Sequence, residues 1–537
     1  MSDSVKAGEK QYSRGNRHPS VLEPATLLVI IVLAIGGALI GMNLITSIGI
    51  SANTSVIGAL LAMIIGRLSF LGFGSLRSIH RQNLIQSGTS AATFSAANSL
   101  LAPIAIVFLL GRQDLILPLL VGVSIAVLVD AWVLYRAFGS EFLPATAPWP
   151  PGVASAETIK AGDEGGKRAI VLGVGALIGL GGSALSLPMS AAGVAFIGNV
   201  IALAMFGLGL LISQYVPVIF EYDLSGAFIP HGVMVGAGLV ALMQAMRILL
   251  KKRGSVSDEN QREQDRPSVT PVALRRALGA GFLLYILGAV VVAFAGSVWQ
   301  EMSIGATIGW ILFAAVAAIV HEIIVGLAAM HSGWFPAFAV TLIFLVVGVL
   351  IGFPMIPLAL LVGYCSATGP AFADMGYDLK TGWLLRENEK PYARYELEGR
   401  KQQFFASCIG FLVSIGMVAL LWDTFLGGDR FPPVSKVYAD TVQAGISDSQ
   451  IWVTLALWAI PGAIIQLVGG SSRQMGVMFA TGLLVTTPNA CWLVFGGLAV
   501  RILWTHLRGK RGEEEVTLIG AGIIAGDAIW GTGRVLT

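Results

Sequence analysis

The sequence predicts an all-α polytopic membrane protein of about 12–16 transmembrane helices, on three observations. The 537-residue chain is 55% hydrophobic and only 12% charged, against about 25% charged in a soluble globular domain. So few charges cannot cover the surface of a soluble fold of this length, whereas lipid needs no such cover. Charge-free windows run from Glu23 to Arg67, from Arg168 to Glu221 and from Glu322 to Asp374. One crossing takes about 20 apolar residues, so each window holds two short crossings. Hydrocarbon offers the backbone no partner, which leaves helices or a closed barrel. The windows lack the polar–apolar alternation of barrel strands, so they read as helices. The 66 glycines suit close helix packing in lipid.

Along the chain, residues 1–23 read as a disordered, mildly basic cytoplasmic tail, 24–250 as a first transmembrane repeat, 251–271 as a cytoplasmic linker and 272–537 as a second repeat. Spans fit 25–48, 52–72, 83–110, 113–137, 169–188, 190–219 and 229–250 in the first half. In the second they fit 274–297, 303–329, 335–353, 355–377, 401–425, 451–470, 474–504 and 515–535. Basic loops stay cytoplasmic. Lys6, Lys10, Arg14 and Arg17 in the tail, and Lys251, Lys252 and Arg253 in the linker, place both in the cytoplasm. Two cytoplasmic ends require an even number of crossings, so one of the seven windows in the first half is misdivided, with 190–228 the candidate. The acidic stretch holding Asp423, Asp429, Asp440 and Asp448 reads as an external loop. Cys365, Cys408 and Cys491 show no metal-ligand spacing, and no disulfide framework is expected. The polar first twenty residues carry no secretory signal pattern.

Four pairs of segments match weakly but in the same order, which predicts two pseudo-symmetric repeats. Residues 37–66 have the rhythm of 324–352, and the small, hydroxyl-rich stretch 85–99 corresponds to 363–376. Duplicated bundles commonly hold solute between their halves. The stretch 85–99 supplies Gln86, Ser87, Thr89, Ser90 and Thr93; its counterpart supplies Ser366 and Thr368, breaks at Gly369-Pro370 and ends in Asp374. These residues read either as the lining of a polar cavity or as a tight helix interface glued by hydroxyls.

Ionisable residues at membrane depth are functional candidates. His321 and Glu322 interrupt an apolar run, either as a proton-carrying pair or as the end of a helix. Asp527 lies inside the last span, in a polar core or at a helix end. Asp130 reads as interfacial, with Arg136 snorkelling nearby. Glu221 and Asp223 read as a surface loop. The start of HEIIV lacks the second histidine of a zinc hydrolase, since residue 325 is valine, and no phosphate-binding GxxxxGK[ST] occurs. Neither a cofactor, a resident metal nor a nucleic-acid partner is expected, and no catalytic set has convincing spacing. Without ATP hydrolysis an energised transporter uses an ion gradient. The rival classes are an intramembrane enzyme, a channel and a non-transporting scaffold; only a transporter concentrates solute.

At MGYDLKTGWLLRENEKPYARYELEGRKQQFFASCIG (375–410) the chain resembles the oligopeptide transporter superfamily, which includes the yellow-stripe-like metal-chelate carriers. The resemblance rests on Asp378, Leu379, Lys380, Thr381 and Gly382, followed by Arg400, Lys401, Gln402 and Gln403. Gln86, Ser90 and Ala91 are similar to a second family segment, and GAGIIAGDAIWG (520–531), with Asp527, to its last helix. The resemblance implies sixteen helices in two eight-helix repeats and proton-coupled symport of small peptides or metal-chelate complexes. The Asn-Pro-Gly and Lys-Ile-Pro-Pro-Arg motifs of the peptide-carrying branch are absent. Asp378, Lys380, Thr381 and Gly382 sit just past a predicted span. They read either as a solvated cytoplasmic loop or as a gate whose Asp378–Lys380 ion pair opens with access. Asp374, Asp527, His321 and Glu322 are the candidates for proton coupling. The expected partners are the solute and the bilayer, with a homo-oligomer left open. The expected location is a multi-pass position in a cell membrane, by its lack of organelle signals a prokaryotic inner membrane.

Overall fold

A computed structural model describes residues 17–47, 58–59, 74–164, 166–224, 226–250, 267–333, 337–389, 392–427, 431–444, 450–484 and 489–536. The span expected over 52–72 falls outside these residues except at 58–59, as do most of the tail and of the linker. The described residues are helical with no strands. Eleven helical stretches among them are long and apolar enough to cross a bilayer, and three shorter apolar helices accompany them.

The first half comprises α1 (Pro24–Ser47), α2 (Ile79–Phe94), a π-helical segment (Ser95–Leu101), α3 (Ala102–Leu109), α4 (Ile116–Ala137), α5 (Pro150–Glu164), α6 (Gly166–Ala184), α7 (Met189–Ile197), α8 (Val200–Phe220) and α9 (Ile229–Leu250). The second comprises α10 (Pro271–Ala295), α11 (Ile304–Ser332), α12 (Ala337–Ile351), α13 (Met355–Ala367), α14 (Pro370–Leu385), α15 (Tyr392–Leu426), α16 (Pro433–Ala444), α17 (Gln450–Arg473), α18 (Met475–Leu484) and α19 (Ala490–Leu536). The window 190–219 is two helices: Gly198 is extended and Asn199 caps α8 through its side chain. Residues 515–535 continue α19 beyond a bend at Gly509, where φ is +58°. Two helices lie in stretches read as loops, α5 and α16. Glu221 and Asp223 are exposed in the α8–α9 connection, as expected.

Lipid tails are as apolar as leucine, so helices here associate through close backbone approach and polar contacts. At Gly236 of α9 an added β-carbon would lie 1.8 Å from Ala459 O, and at Gly462 of α17 2.0 Å from Val233 O. Only glycine on each side permits that crossing. Large apolar side chains such as Leu177, Ile304, Leu420 and Val468 remain exposed on the outer faces, where lipid covers them.

The two deepest spans both depart from a regular α-helix. The apolar window of 355–385 is 89% buried and that of 79–109 is 78% buried, against 17% for 166–184. In 79–109 the helix continues but widens through the π-helical Ser95–Leu101. Pro103, just beyond, lacks an N–H and crowds the carbonyl one turn back, which favours a widened turn. In 355–385 the break is at Thr368, which is extended, and Gly369, with φ +82°. A side chain at Gly369 would also meet His321 and Val325 at 2.9 Å, so both conformation and space demand glycine. Pro370 then starts α14 with its φ already set for a helix.

The segment before α1 packs over one end of this pair. The His18 ring lies 5.4 Å from His80 and 5.2 Å from Tyr395 between centroids. Burial, helped by the nearby Arg386 charge, pulls the His18 pKa down to about 3. The folded value lies below the unfolded one, so this stability is complete above about pH 6.5 and is lost as pH falls towards 3. Between about pH 6.5 and 5 the loss amounts to about 2 kcal/mol. Hydrogen exchange of residues 17–23, corrected for intrinsic rate, is expected to accelerate over that interval, and His18→Phe to weaken the dependence, leaving what the neighbouring His80 contributes.

Candidate functional site

The helices α2 and α14 run antiparallel and share polar rungs one helical turn apart. Gln86 donates through Nε2 to Asp378 Oδ1. Ser90 Oγ donates to Asp374, 2.9 Å from Oδ1 and 3.1 Å from Oδ2. The spacing of four residues in each helix puts both rungs on facing sides. All four side chains are buried.

Beyond Asp378 the network reaches the start of α15. Gln403 donates through Nε2 to Ser87 Oγ (3.0 Å) and Asp378 O (2.6 Å). Its Oε1 accepts both terminal nitrogens of Arg386 at 3.0 Å. Arg386 Nε also donates to Glu396 Oε2 at 2.6 Å. The other Glu396 oxygen accepts Arg400 at 2.9 and 3.1 Å, and Arg400 donates to Phe138 O at 2.6 Å. Three carboxylates (Asp374, Asp378, Glu396) and three cations (Lys380, Arg386, Arg400) are thus buried together. Buried charge on this scale is sustained only by pairing and hydrogen bonding.

Each polar residue of the motif ties α14 to a different neighbour. Lys380 Nζ donates to Ala145 O at 2.8 Å and lies 4.3 Å from the centre of the Trp383 ring. Thr381 donates to Gly152 O in α5 at 3.0 Å. Gly382 leaves room for Arg386 and Gln403: a β-carbon there would sit 2.1 Å from Gln403 Oε1. The solvated-loop reading of Asp378–Gly382 is therefore overturned. The apolar run ends before this motif but the helix does not, because partners on α2, α5 and α15 satisfy its polar groups.

A second buried cluster lies beside the break in 355–385. Asp130 on α4, Tyr285 on α10 and Glu322 on α11 are fully enclosed. The Tyr285 hydroxyl is 2.5 Å from Asp130 Oδ1 and 2.8 Å from Glu322 Oε2. Gly369 N–H donates to Asp130 Oδ2 at 2.8 Å. Asp130 is thus not interfacial, and α11 runs unbroken through His321 and Glu322 instead of ending there. His321 turns away from Glu322: Nε2 lies 2.9 Å from Ala337 O and 3.0 Å from Thr341 Oγ1, and Nδ1 lies 3.3 Å from Thr368 Oγ1.

The remaining candidates are dispersed. Thr89 Oγ1 is buried without a hydrogen-bond partner. Thr93 bonds its own helix at Thr89 O (2.7 Å) and faces α1, where Gly37 and Gly41 leave it space. Ser366 bonds Gly363 O within α13. Asp527 lies apart from both clusters. It accepts Ser183 Oγ at 2.5 Å, Ser190 Oγ, and Ser190 N–H at 3.2 Å, and so caps α7, where a carboxylate is favoured. Sequence reasoning left out Asn83, Tyr285, Arg386 and Glu396 and placed Asp130 elsewhere. Gln403 stood in the quoted motif without a role. Among the described residues no group of three His, Cys, Asp or Glu side chains is placed to hold a metal ion.

A family model described as OPT oligopeptide transporter protein matches residues 24–243 and 172–533. No curated protein matches the chain.

Proposed function

Because the chain belongs to the OPT oligopeptide transporter family, we propose that this multi-pass membrane transporter is a secondary active symporter that moves a small peptide or a metal-chelate complex together with a proton. The observation that carries this reading is the buried polar seam between α2, which leads into the π-helical stretch, and α14, which starts at the break at Gly369. Intramembrane ionisable residues mark solute and ion pathways, and broken helices bring usable backbone groups to the site.

Solute binds along the seam, with Gln86, Ser87, Thr89 and Ser90 from α2, Thr93 at its margin, and Ser366 and Thr368 at the break before α14. The Gln86–Asp378 and Arg386–Gln403 contacts close one end of the seam, and Asp378, Lys380, Thr381 and Gly382 form the gate there. With the N-terminus in the cytoplasm of a prokaryotic inner membrane, that end is cytoplasmic, since His18 packs against it. Alternating access then follows from rocking one repeat, 24–250, against the other, 272–537.

Proteoliposomes given an alkaline interior provide the test, with radiolabelled tetra-alanine and iron(III)–citrate as probes. One of the two is expected to accumulate above its external concentration and to leak out when a protonophore is added. Equilibration without accumulation would indicate a channel, and absence of flux a scaffold. A bound probe at about a hundred times its Kd also stabilises the protein by about 2.7 kcal/mol, readable as a rise in Tm.

A further inference from the structure

The Asp130–Tyr285–Glu322 cluster contains one more oxygen contact than one phenol proton can make. A tyrosine hydroxyl has a single proton, so it donates to one carboxyl only. The second contact requires a proton on the other carboxyl, donated to the phenol oxygen. The partners decide which carboxyl. Both Asp130 oxygens accept a donor, Tyr285 on one side and Gly369 N–H on the other, as an ionised carboxylate does. Glu322 Oε1 is buried with no hydrogen-bond partner, which suits a neutral acid and is costly for a charged one. The chain of bonds is therefore Glu322 O–H to Tyr285 Oη, and Tyr285 O–H to Asp130.

No lysine or arginine among the described residues forms an ion pair with Asp130 or Glu322. The titratable groups facing the cluster are His321 on α11, turned towards Thr341 and Thr368, and Tyr364 and Cys365 on α13. Tyr364 donates to the backbone oxygen of Tyr285 at 2.9 Å. Loss of the extra proton would leave two carboxylates sharing one phenol proton in a site without a cation, an arrangement that like-charge repulsion disfavours.

We propose that Glu322, through Tyr285 and Asp130, is a proton-carrying site, and that it controls the break at Gly369 from which α14 starts. This deepens the symport reading and rests on it for its role in transport. The step is a proton transfer: Glu322 O–H releases a proton to water and becomes a carboxylate, and the cluster passes from one negative charge to two. The Tyr285 proton is then contested, Asp130 carries more of its charge towards Gly369 N–H, the Asp130–Gly369 bond tightens and the N-terminal end of α14 is held, whereas protonation of Glu322 loosens it. Asp374 and Asp378 ride on that helix, one and two turns further along. The proton at Glu322 is thereby linked to the seam without touching solute, so Asp130 and Tyr285 are positioning residues.

The test needs no solute. Infrared difference spectra of the full chain in liposomes, recorded across a pH titration in H₂O and D₂O, are expected to show a carbonyl stretch of a buried protonated acid. That band should vanish in Glu322→Gln, shift in Tyr285→Phe through loss of its hydrogen bond, and persist in Asp527→Asn. Hydrogen exchange over residues 363–376, corrected for intrinsic rate, should be about tenfold slower at about pH 9 than at about pH 6, the change that one unit of linked protonation free energy carries. In Glu322→Gln, which mimics the protonated acid, exchange should be fast at both. A band unchanged by Glu322→Gln overturns the proton site, whatever the transport assays show. A band lost on substitution with the same pH-dependent exchange in both proteins overturns the link to Gly369. Tyr285→Phe decides the first point on its own if the glutamine variant does not fold.

Discussion

Replacing Arg386 by methionine is expected to destabilise the folded protein by about 3 kcal/mol, the lower end of the range for breaking a buried ion pair. Arg386 is fully enclosed and makes its bonds to Glu396, Gln403 and Asn83 with one planar fork. Methionine fills much of the volume but supplies no donor. Glu396 then keeps only Arg400, and Gln403 Oε1 loses both of its guanidinium donors. The surviving Arg400 contact is the reason for the lower end of the range. Arg386→Lys retains the charge but cannot serve Glu396 and Gln403 at once, so its loss should fall between zero and that of methionine. Denaturant midpoints of the purified protein in mixed micelles measure both. A methionine variant within about 0.5 kcal/mol of the wild type would show that the network is not holding α14, α2 and α15 together.

The helices were legible because lipid imposes a simple rule: apolar runs of sufficient length without charges must span. That rule says nothing about where a buried helix stops once it enters a polar core. The run before Asp374 is apolar and the run after it is not, so α14 reads as ending at its first charged residues. It continues to Leu385 because Gln86, Gln403 and Gly152 stand opposite its polar side chains, and no local pattern encodes those partners. The same holds for Asp130. Next to Arg136 in sequence it reads as interfacial, yet α10 and α11 bring Tyr285 and Glu322 against it from 155 and 192 residues away, counted along the chain. A lone tyrosine in an apolar span carries no signal by itself. What the sequence did expose was the pair of small, hydroxyl-rich stretches. One marks a π-helical widening and the other a broken helix, and together they mark the seam, since residues too polar for lipid must face one another.

Asp374→Asn is expected to abolish proton-driven accumulation of the transported probe while leaving the protein folded. Asparagine keeps the shape of the side chain, and its Oδ1 can still accept Ser90 Oγ, so the rung between α2 and α14 survives. What is lost is an acid buried against Ser90 of α2. Removing a buried charged partner costs about 2–5 kcal/mol, a loss of about thirtyfold to more than a thousandfold in affinity. Ser90→Ala separates charge from geometry. It removes one hydrogen bond to a charged group, about 1.5–3 kcal/mol, and leaves the carboxylate in place. If the charge matters, Ser90→Ala weakens uptake but leaves it driven by the pH gradient, whereas Asp374→Asn removes the drive. If both variants lose uptake equally with unchanged gradient dependence, Asp374 holds the helices together and nothing more. Uptake by Asp374→Asn equal to wild type at every pH would exclude it from the mechanism, and the proton would then rest with Glu322 alone.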